Sequence, residues 1–517
     1  MINRTRLLQA GAGLAVFLGM TACDNSKITE LNNNPNNPED VPAATLFTSA
    51  AQSAIGRFLG SGYSLRQTEF VVQHFAEQQY PDEDRYARLG ATDTQGSFTN
   101  PYPNELEDLQ KVVVKGTATN KAGLVGPAQI LKAWEYSYIT DTFGDIPYSA
   151  ALAGDSLGGS ITPAYDAQKD IYTDLFAKLD AAAKSLTGAS AELGTADPIF
   201  KGDPTAWQKF ANTLRARLAL RLVNVDRAAA DAQLRAAFAG PGGLIATNAD
   251  NAILKWPGDG VYNNPWGTFF QTRDDNRLSK TLVDPMNAMK DPRLGVYAQP
   301  LPGTTNTYAG MPNGLTASAA GGYANTASRA GAIFFPGATA YGFFGGQGAA
   351  QASFIMTAAE MGFIQAEAAE RSLGGLTPAQ AKGFYDNAIR ASMTQWGVTN
   401  TAAIDAYLAD PAVAYKTGTP GLTQIALQKW IALFTDGGTA WAEWRRTCVP
   451  STIKPGPAAT QANVPRRFMY PTTEVSVNGA ALNAAIARQG ADAFTTRMYW
   501  DSAPTAAPTY TTGCGQR

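Results

Sequence analysis

The chain has 517 residues, of which 45% are hydrophobic and 10% aromatic, and these proportions exclude a protein that is disordered throughout. Its 41 lysines and arginines nearly balance its 43 aspartates and glutamates, and no basic run is present, so a nucleic-acid partner is not expected. His74 is the only histidine. Metal sites built on several imidazoles are therefore excluded, and His74 is predicted to pack inside a helix.

Residues 1–22 have the layout of a secretory signal peptide. Arg4 and Arg6 precede an apolar run from Leu7 to Phe17, which is too short to span a bilayer. The segment that ends in Ala22 and Cys23 resembles the lipobox of bacterial lipoproteins. That resemblance implies that Cys23 becomes the first mature residue and carries the lipid chains. Ordinary secretion, with cleavage close to Cys23, is the alternative.

Residues 23–40 are predicted to form a flexible lipidated leader. The asparagines and prolines between Asn32 and Pro38 favour turns and side-chain to backbone hydrogen bonds over helix or strand. The leader would lift a single folded body, residues 41–517, away from the membrane.

Helical periodicity dominates the folded body, which is predicted to be mainly α. Expected helices are 43–59, 63–80, 358–371, 378–396, 422–434 and 438–446. Asp166 and Asp203 are predicted N-caps of two further helices. Strand signals are few, and Ala252–Trp256 is one of them.

Three tryptophans fall on the apolar faces of predicted helices. They are Trp134, Trp207 and Trp430, and the helical spacing of the apolar residues around each one places it in the core.

The region from about 256 to 354 differs from the rest, because it is rich in Gly, Ala, Asn and aromatic residues. A long loop-dominated insert in a compact domain is usually functional or disordered. Its aromatic residues favour an ordered, functional insert.

Two cysteines remain if Cys23 is lipidated. Cys448 and Cys514 could pair in an oxidising compartment and would tie the carboxyl end of the chain to the segment after Trp444. The sequence leaves open whether they do.

Several sequence blocks follow one another in an order that is specific as a set. The blocks are Lys132–Tyr136 with Thr142–Tyr148, Tyr165–Asp180, Trp207–Arg217, Asn248–Ala252, Asp291–Leu294, Ala359–Ala368, Gln428–Phe434, Trp441–Thr447 and Pro465–Pro471. With them the chain resembles the SusD/RagB family of nutrient-binding outer-membrane lipoproteins. The resemblance extends over nearly all of the mature chain.

This resemblance implies a SusD-like fold, in which tetratricopeptide-like helix pairs pack against an irregular, loop-rich ligand-binding part. It further implies a lipid-anchored protein at the outer membrane, exposed on the cell surface. Such a protein binds a glycan, or alternatively a peptide, and hands it to a SusC-like TonB-dependent transporter. It is not an enzyme, and neither a cofactor nor a metal is expected.

Candidate ligand-binding residues come from two loop regions, because core residues cannot present a ring to a sugar. Aromatic rings would stack on the sugar face, and amide or guanidinium groups would bond to its hydroxyl edge. The early loop offers Tyr80, Tyr86, Phe98, Tyr102 and Asn104, and the insert offers Tyr262, Asn264, Trp266, Phe269 and Arg273. Rings that merely hold the loops in place are the alternative interpretation.

Two other functions stay open at this stage. Glu360 and Glu367 lie two helical turns apart on one predicted face and could serve a lipid-anchored glycoside hydrolase, although salt-bridged glutamates are the simpler interpretation. A purely structural envelope lipoprotein is the other alternative.

Overall fold

Helices of three to 22 residues, joined by both short turns and long loops, form the amino-terminal half of the folded body. The computed structural model describes residues 40–154, 159–334, 348–501 and 514. The chain divides after Pro42 into two units, and every element named here belongs to the unit that begins at Ala43. The helices of this half are α1 (Ala43–Phe58), α2 (Glu69–Val71), α3 (Gln95–Phe98), α4 (Glu107–Ala118), α5 (Ala122–Phe143), α6 (Gln168–Ser185), α7 (Pro204–Arg221) and α8 (Arg227–Phe238).

The remaining helices fall into a short set in the insert and a longer carboxyl-terminal set. In the insert they are α9 (Pro265–Phe270), α10 (Lys280–Ala288), α11 (Leu294–Tyr297) and α12 (Ala317–Gly321). The carboxyl-terminal set is α13 (Ala358–Glu370), α14 (Pro378–Gln395), α15 (Thr401–Ala409), α16 (Gly418–Ala432), α17 (Gly437–Thr447), α18 (Thr472–Val477) and α19 (Gly479–Gln489). Of the ranges predicted from periodicity, only 63–80 differs substantially from the helices found.

Six short strands pair two by two and join segments that are distant in sequence. The strands are β1 (Phe75–Glu77), β2 (Ile146–Pro147), β3 (Tyr165–Asp166), β4 (Ala252–Leu254), β5 (Asn276–Leu278) and β6 (Ser353–Met356). All three pairs, β1 with β5, β2 with β3 and β4 with β6, are antiparallel.

Successive helices pack against each other through both halves of the unit. The helices α4 to α8 form a series in which each packs on the next, and α13 packs on both α14 and α16. Packing of α7 against α13 joins the two series. This mainly helical fold, with paired helices, confirms the fold class expected from the sequence. Among the described residues, each helix is too short or too polar to cross a bilayer.

The predicted helix from 63 to 80 stops early. A π-helical turn covers Ser61–Thr68, the short helix α2 follows, and β1 begins at Phe75. His74 therefore lies between helix and strand, not inside a helix. It is completely buried, with Nδ1 2.6 Å from a carboxylate oxygen of Glu69 and Nε2 3.1 Å from the carbonyl oxygen of Trp430.

One of the two predicted N-caps is correct. The carboxylate of Asp203 accepts hydrogen bonds from the backbone of Thr205 at 2.8 Å and Ala206 at 3.3 Å at the start of α7. Asp166, by contrast, is not a cap, because α6 starts after Ala167. Asp166 pairs in β3, and its carboxylate accepts from the backbone of Tyr148 and Ser149.

The core contains the three tryptophans predicted to be there. Trp134, Trp207 and Trp430 are each at most 1% exposed. Near the carboxyl end of α17, Cys448 forms a disulfide with Cys514, with a Cα separation of 5.8 Å. The disulfide therefore links Cys514, near the carboxyl end of the chain, to the residue that follows α17.

Candidate functional site

The pairing of β1 with β5 brings the early loop and the central insert together. Glu77 is the register partner of Asn276, and the backbone N–H of Gln78 donates to the carbonyl oxygen of Asp275 at 2.7 Å. Tyr80 follows β1 by three residues and Arg273 precedes β5 by three. Because β1 and β5 are antiparallel, the residues that follow β1 and those that precede β5 leave the ladder at the same end. Tyr80 and Arg273 therefore lie close together.

An exposed surface of two rings and one guanidinium results, which we call the Tyr80 surface (Tyr80, Phe269 and Arg273). The guanidinium of Arg273 lies 6.0 Å from the ring centroid of Tyr80 and 6.0 Å from that of Phe269. Tyr80 is 68% exposed, whereas Phe269 is half-buried. The Nη1 atom of Arg273 donates to the carboxylate of Asp275 at 3.0 Å, which raises the pKa of Arg273 and holds its position.

A polar cleft of about 420 Å³ lies next to this surface. Its charged lining consists of Arg57, Arg66, Arg88, Glu83 and Asp93. Arg66 pairs with Glu83, and Arg88 lies 3.5 Å from Asp93. Such pairs present donors and acceptors side by side, which suits the adjacent hydroxyls of a sugar ring.

Glu83 connects the cleft with the Tyr80 surface. Burial raises the pKa of Glu83, and the charges of Arg66, Arg88 and Arg273 oppose that rise. Arg273 and the cleft arginines therefore act on one carboxyl group. Glu83, which lines the cleft, is thus within electrostatic reach of Arg273 on the Tyr80 surface.

Glu83 also belongs to a buried carboxyl cluster, which it forms with Glu77 and Asp84. The Oε2 atom of Glu77 accepts from the backbone N–H of Glu83 at 3.2 Å, and Oδ2 of Asp84 accepts from those of Glu77 and Gly314, both at 3.1 Å. Burial, together with the charges of Glu83 and Asp84, raises the pKa of Glu77 to about 10. Burial also raises the pKa of Asp84 to about 7.

The cluster thus carries at least one neutral acid at neutral pH. Within residues 40–154, 159–334 and 348–501, no group of three or more His, Cys, Asp or Glu side chains is arranged to hold a metal ion.

Three of the ten candidate residues, Tyr80, Phe269 and Arg273, meet across the two loop regions. Two others are exposed at separate places: Tyr262 is 52% exposed in the insert, and Asn104 donates to the carbonyl oxygen of Asn100 at 2.7 Å. Tyr102 is half-buried and donates its hydroxyl to the carbonyl oxygen of Pro147 at 2.8 Å.

The expectation of surface presentation must be corrected for four candidates, which are buried. Trp266 is 2% exposed, donates Nε1 to the carbonyl oxygen of Leu59 at 3.0 Å and packs on Phe75. Asn264 caps α9 by accepting from the backbone N–H of Trp266 at 2.8 Å. Phe98 and Tyr86 are each 1% exposed. Rings buried in this way cannot stack on a ligand.

The cleft arginines and their acidic partners were missed by reasoning from the sequence. A signal was available in the segment 82–88, where five of seven residues carry charge in a chain that is 16% charged overall. Dense charge outside a helix is unusual in so weakly charged a protein. Arg85 of this segment does not line the cleft, and its Nε donates to the carbonyl oxygen of Ala458 at 2.8 Å.

Glu360 and Glu367 are scaffold residues rather than a catalytic pair. Arg217 binds Glu360 through both carboxylate oxygens, at 2.7 and 2.5 Å, and Arg446 binds both oxygens of Glu367 at 2.6 Å. Both glutamates are at most 3% exposed. Burial would raise the pKa of Glu360, but the neighbouring Arg217 outweighs it and lowers this pKa. Neither carboxyl is accessible to a substrate. The two glutamates therefore give no support for a glycoside hydrolase.

A family model for SusD-like proteins matches residues 35–471 of the chain. Its description is "Starch-binding associating with outer membrane". The chain belongs to the SusD-like family. Family members bind carbohydrate and are not enzymes, and this chain is accordingly a binding protein associated with the outer membrane. The membership confirms the resemblance from which the fold was expected.

Solved structures of SusD homologues are similar over almost the whole chain. A chitin-binding SusD homologue from Flavobacterium johnsoniae is 25% identical, with a TM-score of 0.75, over 90% of this chain and 100% of its own. A second chitin-binding protein is 27% identical, with a TM-score of 0.76, over 89% of this chain and 100% of its own. A SusD homologue from Bacteroides uniformis, 24% identical over 90% of this chain and 100% of its own, has a TM-score of 0.74 and supports the fold alone. No curated protein sequence matches the chain.

Proposed function

We propose that this SusD-like protein is a lipid-anchored receptor on the cell surface that binds an oligosaccharide and delivers it to a TonB-dependent outer-membrane transporter. The observation that carries the binding step is the Tyr80 surface beside the polar cleft. A sugar ring has an apolar C–H face and a hydroxyl edge. Tyr80 and Phe269 suit the face, while Arg273 and the paired charges of the cleft suit the edge.

The proposed ligand class is a neutral or N-acetylated glycan. The charges of the cleft are paired, Arg66 with Glu83, Arg88 with Asp93, and Arg57 with the buried Glu105 at 2.5 Å, so the cleft offers hydrogen-bonding groups rather than unpaired charges. Two similar structures are described as chitin-binding, and the family description names starch. Both polymers are uncharged or carry only acetamido groups, which agrees with this cleft.

The first prediction concerns the Tyr80 surface. Tyr80→Ala and Phe269→Ala should each weaken binding of the recognised oligosaccharide by roughly 2- to 12-fold, because one stacking contact is worth about 0.5–1.5 kcal/mol. Arg273→Ala should weaken it roughly 10-fold or more, because a charge-assisted hydrogen bond is lost. Calorimetric titration with chitin and starch oligosaccharides measures these effects.

Val114→Ala is the matched control for this series. Val114 is 55% exposed on α4, so its replacement changes exposed apolar area without touching the Tyr80 surface. If all three surface variants bind as tightly as the Val114→Ala protein, the ligand site lies elsewhere and the assignment is wrong.

A further inference from the structure

A cavity smaller than the polar cleft is lined by a half-buried lysine, Lys132. This cavity, of about 200 Å³, lies between α4, α5, α6 and the segment 148–152, and we call it the lysine cavity. The residues with polar side-chain groups that line it are Gln110, Gln129, Lys132, Tyr136, Tyr148, Ser149 and Lys178. Two of the seven carry an ammonium group.

Lys132 has a neutral partner in place of a counter-charge. Its Nζ donates to the side-chain oxygen of Gln110, and among the described residues no carboxylate lies within ion-pair distance of it. Partial desolvation of an ammonium that makes no direct ion pair is costly. The charges of Glu107 and Glu135 favour the charged form of Lys132 only from beyond ion-pair distance, so its ammonium lacks a direct anionic partner at the cavity.

The acidic residues of the neighbouring elements are already engaged or favour the neutral form. On α4, Glu107 lies 3.3 Å from Lys111. On α6, Asp174 pairs with Lys178 and accepts a hydrogen bond from the hydroxyl of Tyr148 at 2.6 Å. On α5, burial raises the pKa of Glu135 well above its usual range and so favours the neutral form of that carboxyl.

Lys132 and Lys178 also repel each other. Burial, and after it the charge of Lys178, lowers the pKa of Lys132 to about 8. Lys178 is held in place by Asp174, and its Nζ lies 4.9 Å from the ring centroid of Tyr148. An anion between the two ammonium groups would remove the repulsion and supply the missing counter-charge.

We propose that the lysine cavity is an oxyanion-binding site, in which Lys132 and Lys178 hold one carboxylate, sulfate or phosphate group. The amides of Gln110 and Gln129 and the hydroxyl of Ser149 line the same space and can complete its hydrogen bonds. The group arrives either as a free inorganic anion or as part of an acidic sugar. Neither source involves the Tyr80 surface, so this site is independent of the proposed glycan receptor function.

The experiment compares anions at constant ionic strength by thermal unfolding and by titration at neutral pH. The probes are chloride, inorganic phosphate, sulfate and glucuronate, with glucose as the neutral counterpart of glucuronate. Phosphate, sulfate or glucuronate should raise the melting temperature above that in chloride. A rise with inorganic anions alone identifies the free anion as the source, whereas a rise with glucuronate but not glucose identifies the acidic sugar.

Two lysine variants and a surface control localise the effect. Lys132→Met and Lys178→Met should each weaken binding of the effective anion about 10-fold or more, since each removes a charge-assisted contact. Lys184→Met, on the exposed face of α6, should bind like the wild type. Affinity should also fall about 10-fold between roughly pH 7 and pH 9, as Lys132 loses its proton.

The anion-free stability of the Lys132→Met protein separates this proposal from a purely structural role. Removing a partly desolvated charge that makes no direct ion pair should leave the melting temperature in chloride unchanged or higher. A lower melting temperature would mean that Lys132 already has an internal counter-charge, and the proposal would be overturned. Equal stabilisation of wild type and Lys132→Met by every anion would overturn it as well.

Discussion

Glu360 and Glu367 show how a buried charge can be part of the scaffold. They lie on α13 and bind arginines from α7 and α17, which are far apart in sequence. Glu443 on α17 adds contacts with Arg221 and, at 3.2 Å, with Lys429. This network of ion pairs joins α7, α13, α16 and α17.

Breaking one of these pairs should be strongly destabilising. In Glu360→Gln the guanidinium of Arg217 stays buried without its counter-charge, so the free energy of unfolding should fall by about 3–5 kcal/mol. The matched control is Asp386→Asn in the exposed pair with Lys382 on α14, which should cost less than about 1 kcal/mol. Urea unfolding measures both.

The double variant Arg217→Met with Glu360→Leu tests the reason for the loss. It removes both charges and should recover part of the lost stability. A Glu360→Gln protein as stable as the Asp386→Asn protein would show that the pair contributes little.

Residue identity alone did not separate core rings from surface rings. Trp266 and Tyr80 both lie in loop-rich sequence, yet one is 2% and the other 68% exposed. Trp266 is buried because α9 brings it against Phe75 and Phe434, which are 191 and 168 residues away in sequence. Such distant contacts leave no local periodicity, so sequence patterns could not predict them.

At the level of elements, helices were predictable and strands mostly were not. The expected range 358–371 agrees with α13, and 378–396 with α14, because each has an apolar face with helical spacing. β1 has only three residues, all buried, and its partner β5 lies about 200 residues later. A strand that short has no readable alternation, although it positions the whole candidate site.

The β1–β5 ladder also makes stability depend on pH. It buries Glu77, which faces Glu83 and Asp84, with Arg66 paired to Glu83 nearby. The pKa of Glu77 is about 10 in the folded protein and near its ordinary value of 4.5 when unfolded. Between these values the native state binds the additional proton, so the contribution of Glu77 to stability falls as pH rises.

Glu77→Gln should remove this pH dependence. Glutamine resembles the neutral acid, so the variant should match the wild type near pH 5 and become relatively more stable towards pH 9. The difference should grow by up to about 1.4 kcal/mol per pH unit. Urea unfolding of the two proteins across this range measures it.

The difference in stability between wild type and Glu77→Gln cancels the pH-dependent contributions of other groups, including those whose contribution rises with pH. Burial lowers the pKa of Lys429 to about 7, so its own contribution to stability rises with pH above that value. A constant difference between wild type and Glu77→Gln at all pH values would contradict the assignment of Glu77 as a neutral acid.

For the whole molecule, the order of sequence blocks predicted more than any single motif. Family, fold class and carbohydrate binding followed from that order, and the matching family model covers most of the chain. The residues of the candidate site did not follow, because pairing of β1 with β5, about 200 residues apart in sequence, brings them together. Cys23 lies outside the described residues, so its lipidation stays a proposal.

Cys23→Ser tests the membrane tether. The wild-type protein should fractionate with the outer membrane, incorporate a palmitate analogue and co-purify with a TonB-dependent transporter. The variant should lose the label and leave the membrane fraction, because anchoring requires the acyl chains. Met20→Leu, three residues before Cys23 in the segment that resembles a lipobox, is the control and should remain anchored. An unlabelled wild-type protein would contradict lipidation.

The burial of His74 gives this protein a built-in spectroscopic reporter. Since the chain has one histidine, the imidazole resonances in a proton NMR spectrum need no assignment. The ring lies 4.4 Å from that of Trp430 and 2.6 Å from Glu69, so ring currents and the hydrogen bond set its chemical shift. One isolated signal can therefore follow the packing of α16 against the start of β1 through each titration and in each variant.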